Sequence, residues 1–421
     1  MRLTNWNRAS RAAMIAAVAL GTVLSGCGNP DGQTSSGSPG SSGPVRGFDG
    51  KTITVAGMGV KSQMPSAEWG AKARIERFNK DNELDGITID YRAFVDDQAN
   101  PATSLAEARR LVTSENIFAI VGNVSMTSPG RYYAQQEVPY FGFGIDPTYC
   151  SDKPEQLWGF GFSGCLTPAD PKELPDAFGL LYRYAVDKTG STKPTIAMFS
   201  SDTESGRITA KYGEAELRGT GFDVVFSKAM VPPPPVSDFT PYVQQLLNSN
   251  NGQAPDVIQC YLSADCVQIY ALLKANGFKG IYAHSLWSDA VLKPMEGSVV
   301  PVAWANPNES TPAADQMRAD LKTVKPDQLI DIGAVAGYFG ASMFIDALKI
   351  AANGGARNIT PRAVRDAAST MTFEIKDLVG PTRYPDASSV ATGCRALLQA
   401  TGTEWKTVQP FQCLEQRFPV S

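Results

Sequence analysis

Residues 52–79 read TITVAGMGVKSQMPSAEWGAKARIERFN, and the change of period inside this stretch decides the fold. Thr52 to Val60 is a β-prone run ending among glycines. From Ser66 onward, Ala67, Ala71, Ile75 and Phe78 recur on one helical face. The same strand-to-helix passage then repeats along the chain. A strand is expected over 87–94, a helix over 104–113, a buried strand at IFAIVGN from Ile117 and another at VPYFGFG from Val138. Next come a helix over 171–187, a strand from Thr195, a helix ending near Arg218 and a strand from Phe222. A helix over 242–248, the strand DVIQCYL and a helix over 263–276 continue the series. Such regular alternation predicts the α/β class, with parallel sheets covered by helices and a site formed by loops at the carboxyl ends of strands.

Two more strands are expected, from Gly280 and from Val299, followed by a long apolar helix over 333–353. The end of the chain differs in character. Residues 394–413 hold two β-prone arms around Thr401-Gly402-Thr403, which reads as a hairpin with a cysteine at each end of its base.

The beginning of the chain is of another kind. Arg2, Arg8 and Arg11 precede an apolar block at 12–24, and Leu24-Ser25-Gly26-Cys27 follows at once. Charge, then grease, then small residues is the order of an export signal. The block is shorter than the roughly 20 residues that a lasting membrane span needs. LSGC also resembles a bacterial lipobox, which implies cleavage of residues 1–26 and lipidation of Cys27. A diacylglyceryl group holds a protein to a bilayer stably without a basic patch. Residues 27–50, almost wholly Gly, Ser, Pro and polar, are expected to form a flexible tether. The resulting localisation is the extracytoplasmic face of a bacterial cell membrane.

Charge and cysteines agree with that address. The chain of 421 residues carries 38 Lys and Arg against 42 Asp and Glu, a net charge of −4. No basic stripe invites nucleic acid. Apart from Cys27, the six cysteines form three sequence-close pairs: Cys150 with Cys165, Cys260 with Cys266, and Cys394 with Cys413. Six cysteines allow fifteen connectivities, and the clustering favours nearest neighbours, oxidised in an exported protein. There is no C-x-x-C, and His284 is the sole histidine, so neither a metal nor a cofactor is expected.

The order and spacing of VAGMGVKSQMPSAEWGAKARIERFN, IFAIVGNVSMTS, DVIQCYLSADCVQIYALLKANGF, GYFGASMFIDALKIA and LVGPTRYPDASS carry a resemblance. Between about residues 52 and 412 the chain resembles a type 1 periplasmic binding protein of the Leu/Ile/Val-binding branch that feeds ABC importers. The resemblance implies two Rossmann-like lobes joined by a three-crossover hinge. Lobe one would be residues 51–165 with 298–377, and lobe two 166–297 with 378–421. It further implies a small-molecule ligand closed between the lobes, ABC permease subunits as partners and a monomeric body.

Family positions map onto this chain as follows. The turn Gly122 to Ser128, with Ser125, Met126 and Thr127, would receive a ligand carboxylate through hydroxyls and free N–H groups, although a plain helix cap uses the same residues. Trp69, in the loop entering the first helix, would face the ligand side chain. Gly144, Ser205, Ser263, Trp287 and Asp289 complete the expected contacts. The branch places an acidic residue for the ligand ammonium where this chain has Leu286, and an aromatic where it has Ser205. An amide, a urea-like compound, an aromatic acid or a short organic acid therefore stands beside an amino acid as the ligand.

An enzyme fits less well. A Ser-His-acid set would have to use His284, no G-x-S-x-G elbow exists, and Gly57-Met58-Gly59 has Ser62 where a dinucleotide loop needs its third glycine. A sensor domain passing its signal to a receptor would share the fold. The anchor is directly testable. Cys27→Ala should move the protein from the membrane fraction to the soluble fraction in a cell-fractionation blot, and retention after normal cleavage would count against lipidation.

Overall fold

A computed structural model describes residues 44–232, 236–262, 264–353 and 355–420. The leader, Cys27 and most of the expected tether lie outside them. The first layer is built by β1 (Thr52–Gly59), α1 (Ala67–Lys80), β2 (Thr88–Asp96), α2 (Pro101–Thr113), β3 (Ala119–Asn123), α3 (Gly130–Gln135), β4 (Tyr140–Gly142) and β5 (Gly159–Gly161). Its five strands are parallel, in the order β2-β1-β3-β4-β5. Local chemistry explains the boundaries. Asn100 accepts hydrogen bonds from the N–H groups of Ala102 and Thr103, and Pro101 follows, so α2 starts three residues before the expected Ser104.

The chain then enters a second layer: β6 (Glu173–Pro175), α4 (Gly179–Thr189), β7 (Thr195–Ser201), α5 (Glu204–Thr220), β8 (Asp223–Val231), α6 (Thr240–Leu247), β9 (Val257–Tyr261), α7 (Asp265–Ala275), β10 (Ile281–His284) and β11 (Val299–Val302). It returns with α8 (Pro312–Val324), α9 (Ile332–Ala351), α10 (Pro361–Ala368), β12 (Thr372–Ile375) and β13 (Val379–Arg383). It ends with β14 (Cys394–Ala400), β15 (Trp405–Cys413) and β16 (Arg417–Pro419). The second sheet has the order β15-β14-β11-β10-β9-β7-β8, parallel except for the antiparallel β14 and β15. Helix α9 packs on α1, β3 and β4 of the first layer. It is apolar enough to cross a membrane, yet 78% of its apolar window is buried in the body, the mark of a core helix.

The chain thus passes between the sheets three times, after β5, after β11 and after β13. These passages bond to one another. Ala305 N–H donates to Leu378 O (2.8 Å), beside a bridge between Trp304 and Val379. Thr392 N–H donates to Ser163 O (3.0 Å) and Cys165 N–H to Ala387 O (2.9 Å). All three sequence-close cysteine pairs are joined: Cys150–Cys165, Cys260–Cys266 and Cys394–Cys413. The last staples the β14–β15 hairpin, whose register pairs Cys394 with Cys413.

Three expectations require correction. Val299–Val302, assigned from sequence to lobe one, pairs with β10 and β14, so the second crossing falls after residue 302 and not before 298. Residues 44–50 are not tether. The Arg46 guanidinium donates to the carbonyls of Ile117 (3.0 Å), Gln136 and Glu137, and Phe48 packs half-buried against the core. Gly47 sits at φ +67° with Phe118 N only 2.3 Å from where a Cβ would stand, which glycine alone tolerates. The helix expected over 171–187 begins only at Gly179. Pro175 disfavours the helical conformation at Leu174, and Glu173–Pro175 pairs with β16 instead.

An ion network clamps α1 to α9. Glu83 receives Arg74 at 2.7 Å and also Lys349 from α9, while Arg77 meets Asp320 of α8 at 2.9 Å. Burial works to raise the Glu83 pKa, but the two cations outweigh it and hold it at about 2, below its ordinary 4.5. The unfolded carboxylate takes a proton near 4.5 and the folded one near 2. Its contribution is therefore complete above pH 4.5 and is lost as pH falls towards 2. Glu83→Gln should lower unfolding free energy at pH 7 by about 1–3 kcal/mol, since the nearly buried Arg74 loses its partner. The deficit should shrink in urea titrations taken at pH 3.

Candidate functional site

The expected carboxylate turn follows β3. Ser125 is fully buried, and its hydroxyl donates to the fully buried Asp97 carboxylate at the end of β2. Ser125 Oγ in turn accepts the Thr127 N–H (3.1 Å). Ser128 N–H donates to Asp146 (3.0 Å), and Thr127 Oγ1 lies 2.7 Å from Ser104 Oγ. Asn123 caps the arrangement from within, donating to Ser128 Oγ and to the Tyr149 hydroxyl. Burial raises the Asp146 pKa, and the neighbouring Asp97 raises it further. Of the donors expected to meet an anion, the Ser125 hydroxyl and the Ser128 N–H are thus bonded to carboxylates of the chain itself, and the Thr127 N–H to Ser125 Oγ. Met126, 38% exposed, is the part of the turn that reaches solvent.

Trp69 lies in the first turns of α1, not in a loop. Its half-buried ring has Lys72 Nζ 4.9 Å and Lys325 Nζ 5.3 Å from its centroid. Gly144 follows β4, and a Cβ there would stand 2.2 Å from Gly164 O on the first crossing, so close backbone packing requires the glycine. Ser205 is exposed at the start of α5, where Thr203 supplies the cap to Gly206 N–H. Ser263 lies outside the described residues.

Loop 286–289 is held from both layers. Within its own sheet, the buried His284 accepts the Leu286 N–H at Nδ1 (3.2 Å) and meets Ser298 Oγ through Nε2 (3.0 Å). Burial pushes the His284 pKa down to about 3, so the ring stays neutral at physiological pH. Across the crossing, Ile332 N–H donates to Trp287 O (3.1 Å), Asp289 N–H to Ile330 O (3.3 Å), and Ser288 bridges Asp331. Asp331 caps α9 through Ala334 N–H (2.9 Å) and accepts from Ser66 Oγ at the start of α1. Burial raises the pKa of both Asp289 and Asp331, and Asp331 raises that of Asp289 further.

Two groupings therefore emerge. Ser125, Met126 and Thr127 surround Asp97. Trp287, Ser288 and Asp289 bond to the segment 330–332, whose Asp331 accepts from Ser66 at the foot of α1, the helix that carries Trp69. Sequence reasoning missed Asp97, Asp146 and Asp331 as partners, although an aspartate just ahead of the apolar run 332–351 is a readable cap signal. Two surface hollows, of about 230 Å³ beside Arg207 and Lys228 and about 410 Å³ beside Arg46 and Pro361, are lined by none of the expected site residues. Among the described residues, no cluster of His, Cys, Asp or Glu could hold a metal ion.

Two parallel sheets tied by three paired crossings, with strand-end loops meeting between them, define a type 1 periplasmic binding protein. The chain belongs to the periplasmic binding protein family, which it matches over residues 54–404. It is similar in structure to a fatty acid ABC transporter substrate-binding protein from Thermomonospora curvata. That pair shares 18% identity and a TM-score of 0.69 over 88% of this chain and 94% of the other. A branched-chain amino acid transporter protein from Thermus thermophilus with bound valine gives 16% identity and a TM-score of 0.66, covering 86% and 96%. A solute-binding protein from R. palustris in complex with 4-hydroxybenzoate gives 20% and 0.64, covering 87% and 98%. At these identities the likeness speaks for the fold. No curated protein matches the chain.

The closed turn makes a definite forecast. Ser125→Ala should destabilise the body by about 1–3 kcal/mol in chemical denaturation, because it leaves the buried Asp97 carboxylate with the Ala99 N–H but without its hydroxyl donor. Asp97→Asn should recover part of that loss in the double variant.

Proposed function

We propose that this chain is the extracytoplasmic solute receptor of an ABC importer, tethered through lipidated Cys27 and working as a monomer with permease subunits. It binds a small molecule without transforming it. The observation that carries the reading is the contact between the strand-end loop Trp287–Asp289 of one layer and the start of α9 on the other. A solute seated there touches both layers at once. In this reading lobe one comprises residues 51–165 with 303–383, lobe two comprises 166–302 with 384–420, and the bonded crossings act as the hinge. A ligand that touches both lobes favours the closed state by as much as its additional contacts supply.

The ligand class in this reading is an amino acid or a related carboxylate or amide. Valine, 4-hydroxybenzoate and fatty acids, the solutes named for the structural relatives, share an apolar body and one carboxylate. Leu286 in place of an acid argues that an ammonium group is not obligatory. Trp69, Met126, Trp287 and Asp289 are the contacts of the proposed site that lie nearest the meeting of the layers or reach solvent.

A solute library screened by thermal unfolding tests the proposal. One small molecule should raise the melting temperature saturably and be recovered unchanged, since binding to the native state alone stabilises it by mass action. Turnover of the compound would indicate an enzyme. Normal uptake in a deletion strain would indicate a sensor.

A further inference from the structure

Five aromatic side chains meet where the layers join. Phe143, after β4, stacks on Phe162 with centroids 5.2 Å apart and planes 7° from parallel. Trp304, on the second crossing, packs edge-on against Phe162 (6.4 Å), Phe143 (6.2 Å) and Phe339 of α9 (6.5 Å). Trp287 closes the row at 5.9 Å from Trp304. Phe162, Phe339, Trp287 and Trp304 are all buried, Trp287 completely.

Both indole nitrogens in this row, Trp287 Nε1 and Trp304 Nε1, are buried with no hydrogen-bond partner among the described residues. Ser163 Oγ, in the tight turn immediately after Phe162, is also without one. Burying a donor unpaired costs about 1–3 kcal/mol. A pair of such donors at the junction between layers is a standing penalty for as long as both stay buried and unpaired. Opening to water removes it, and so does an acceptor brought in by a ligand.

Resting on the receptor reading above, we infer that the Trp287 and Trp304 indole N–H groups receive an acceptor oxygen of the solute. The solute is then a small aromatic or branched apolar compound carrying a carboxylate or carbonyl oxygen, its body against Phe143 and Phe162. The acceptor lies at the aromatic row, whose two indole donors are unpartnered, whereas in the turn 122–128 the Ser125 hydroxyl and Ser128 N–H already bond to Asp97 and Asp146. The same two donors make closure depend on the ligand, because only an occupied junction pairs them.

The test uses benzoate, benzamide, 4-methylpentanoate and isoleucine as probes, with toluene as an acceptor-free control. Binding is read by calorimetry and thermal unfolding of the soluble body. Benzoate, benzamide or 4-methylpentanoate should bind and toluene should not. Trp287→Phe and Trp304→Phe should each weaken the bound probe about tenfold, the worth of one hydrogen bond. Trp405→Phe is the control, since Trp405 is equally buried and unpartnered but packs on His284 outside the row, and it should leave affinity unchanged. Equal affinity in all three variants, or toluene binding as tightly as benzoate, would overturn the inference and leave the receptor reading standing. Isoleucine alone binding, undiminished by either substitution, would do the same, and the indoles would then be donating to neighbouring ring faces. A melting temperature unmoved by every probe and by the wider solute library would overturn both.

Discussion

Everything in this molecule depends on the chain crossing between two sheets three times and bonding the crossings to one another. A parallel sheet buries both faces under helices, so each sheet needs its own complement of strand-helix units. The polypeptide supplies them by leaving one layer, building the second and returning. A single crossing would leave the layers on a swivel. The backbone of 304–305 pairs with 378–379, and that of 163–165 with 387–392, so the segments joining the two sheets are bonded side by side. The strand-end loop 286–289 lies beside these segments, and in the proposed reading a solute seated there touches both layers.

Around these segments the chain uses polar groups in two opposite ways. Beneath the turn after β3, polar side chains find partners within the chain: Ser125, Thr127 and Ser128 bond to Asp97, Ser104 and Asp146 in turn. At the junction, Trp287 and Trp304 are left with donors unspent. Buried donors without partners are rare in folded proteins, so each one calls for a physical cause, which at this junction we propose is a solute acceptor. His284 belongs to the first kind. Held neutral by burial and bonded on both ring nitrogens, the sole histidine is a strut behind loop 286–289 and not a proton carrier.

Much of the fold was legible because period survives burial. TITVAGMGV and SAEWGAKARIERFN fall on β1 and α1 almost residue for residue, and the cysteine spacing reads directly as three staples. What was hidden depended on distant partners. VRGF at 45–48 looks like tether until Arg46 finds three carbonyls near residues 117 and 136. Glu173–Pro175 is extended because β16 lies more than 240 positions later in the chain. The site was less legible still. Family position pointed to Ser125, but nothing local in the sequence says that Asp97 waits beneath it. Phe143, Phe162 and Trp304 carry no motif, and only the fold lines them up with Trp287.

The central claim is that two hinged layers draw together over a solute. Small-angle X-ray scattering of the soluble body, with and without a saturating solute, tests it most directly. The account predicts a smaller radius of gyration and a shorter maximum dimension when the solute is bound. Superimposable curves in the two conditions, with binding confirmed in the same sample, would contradict it.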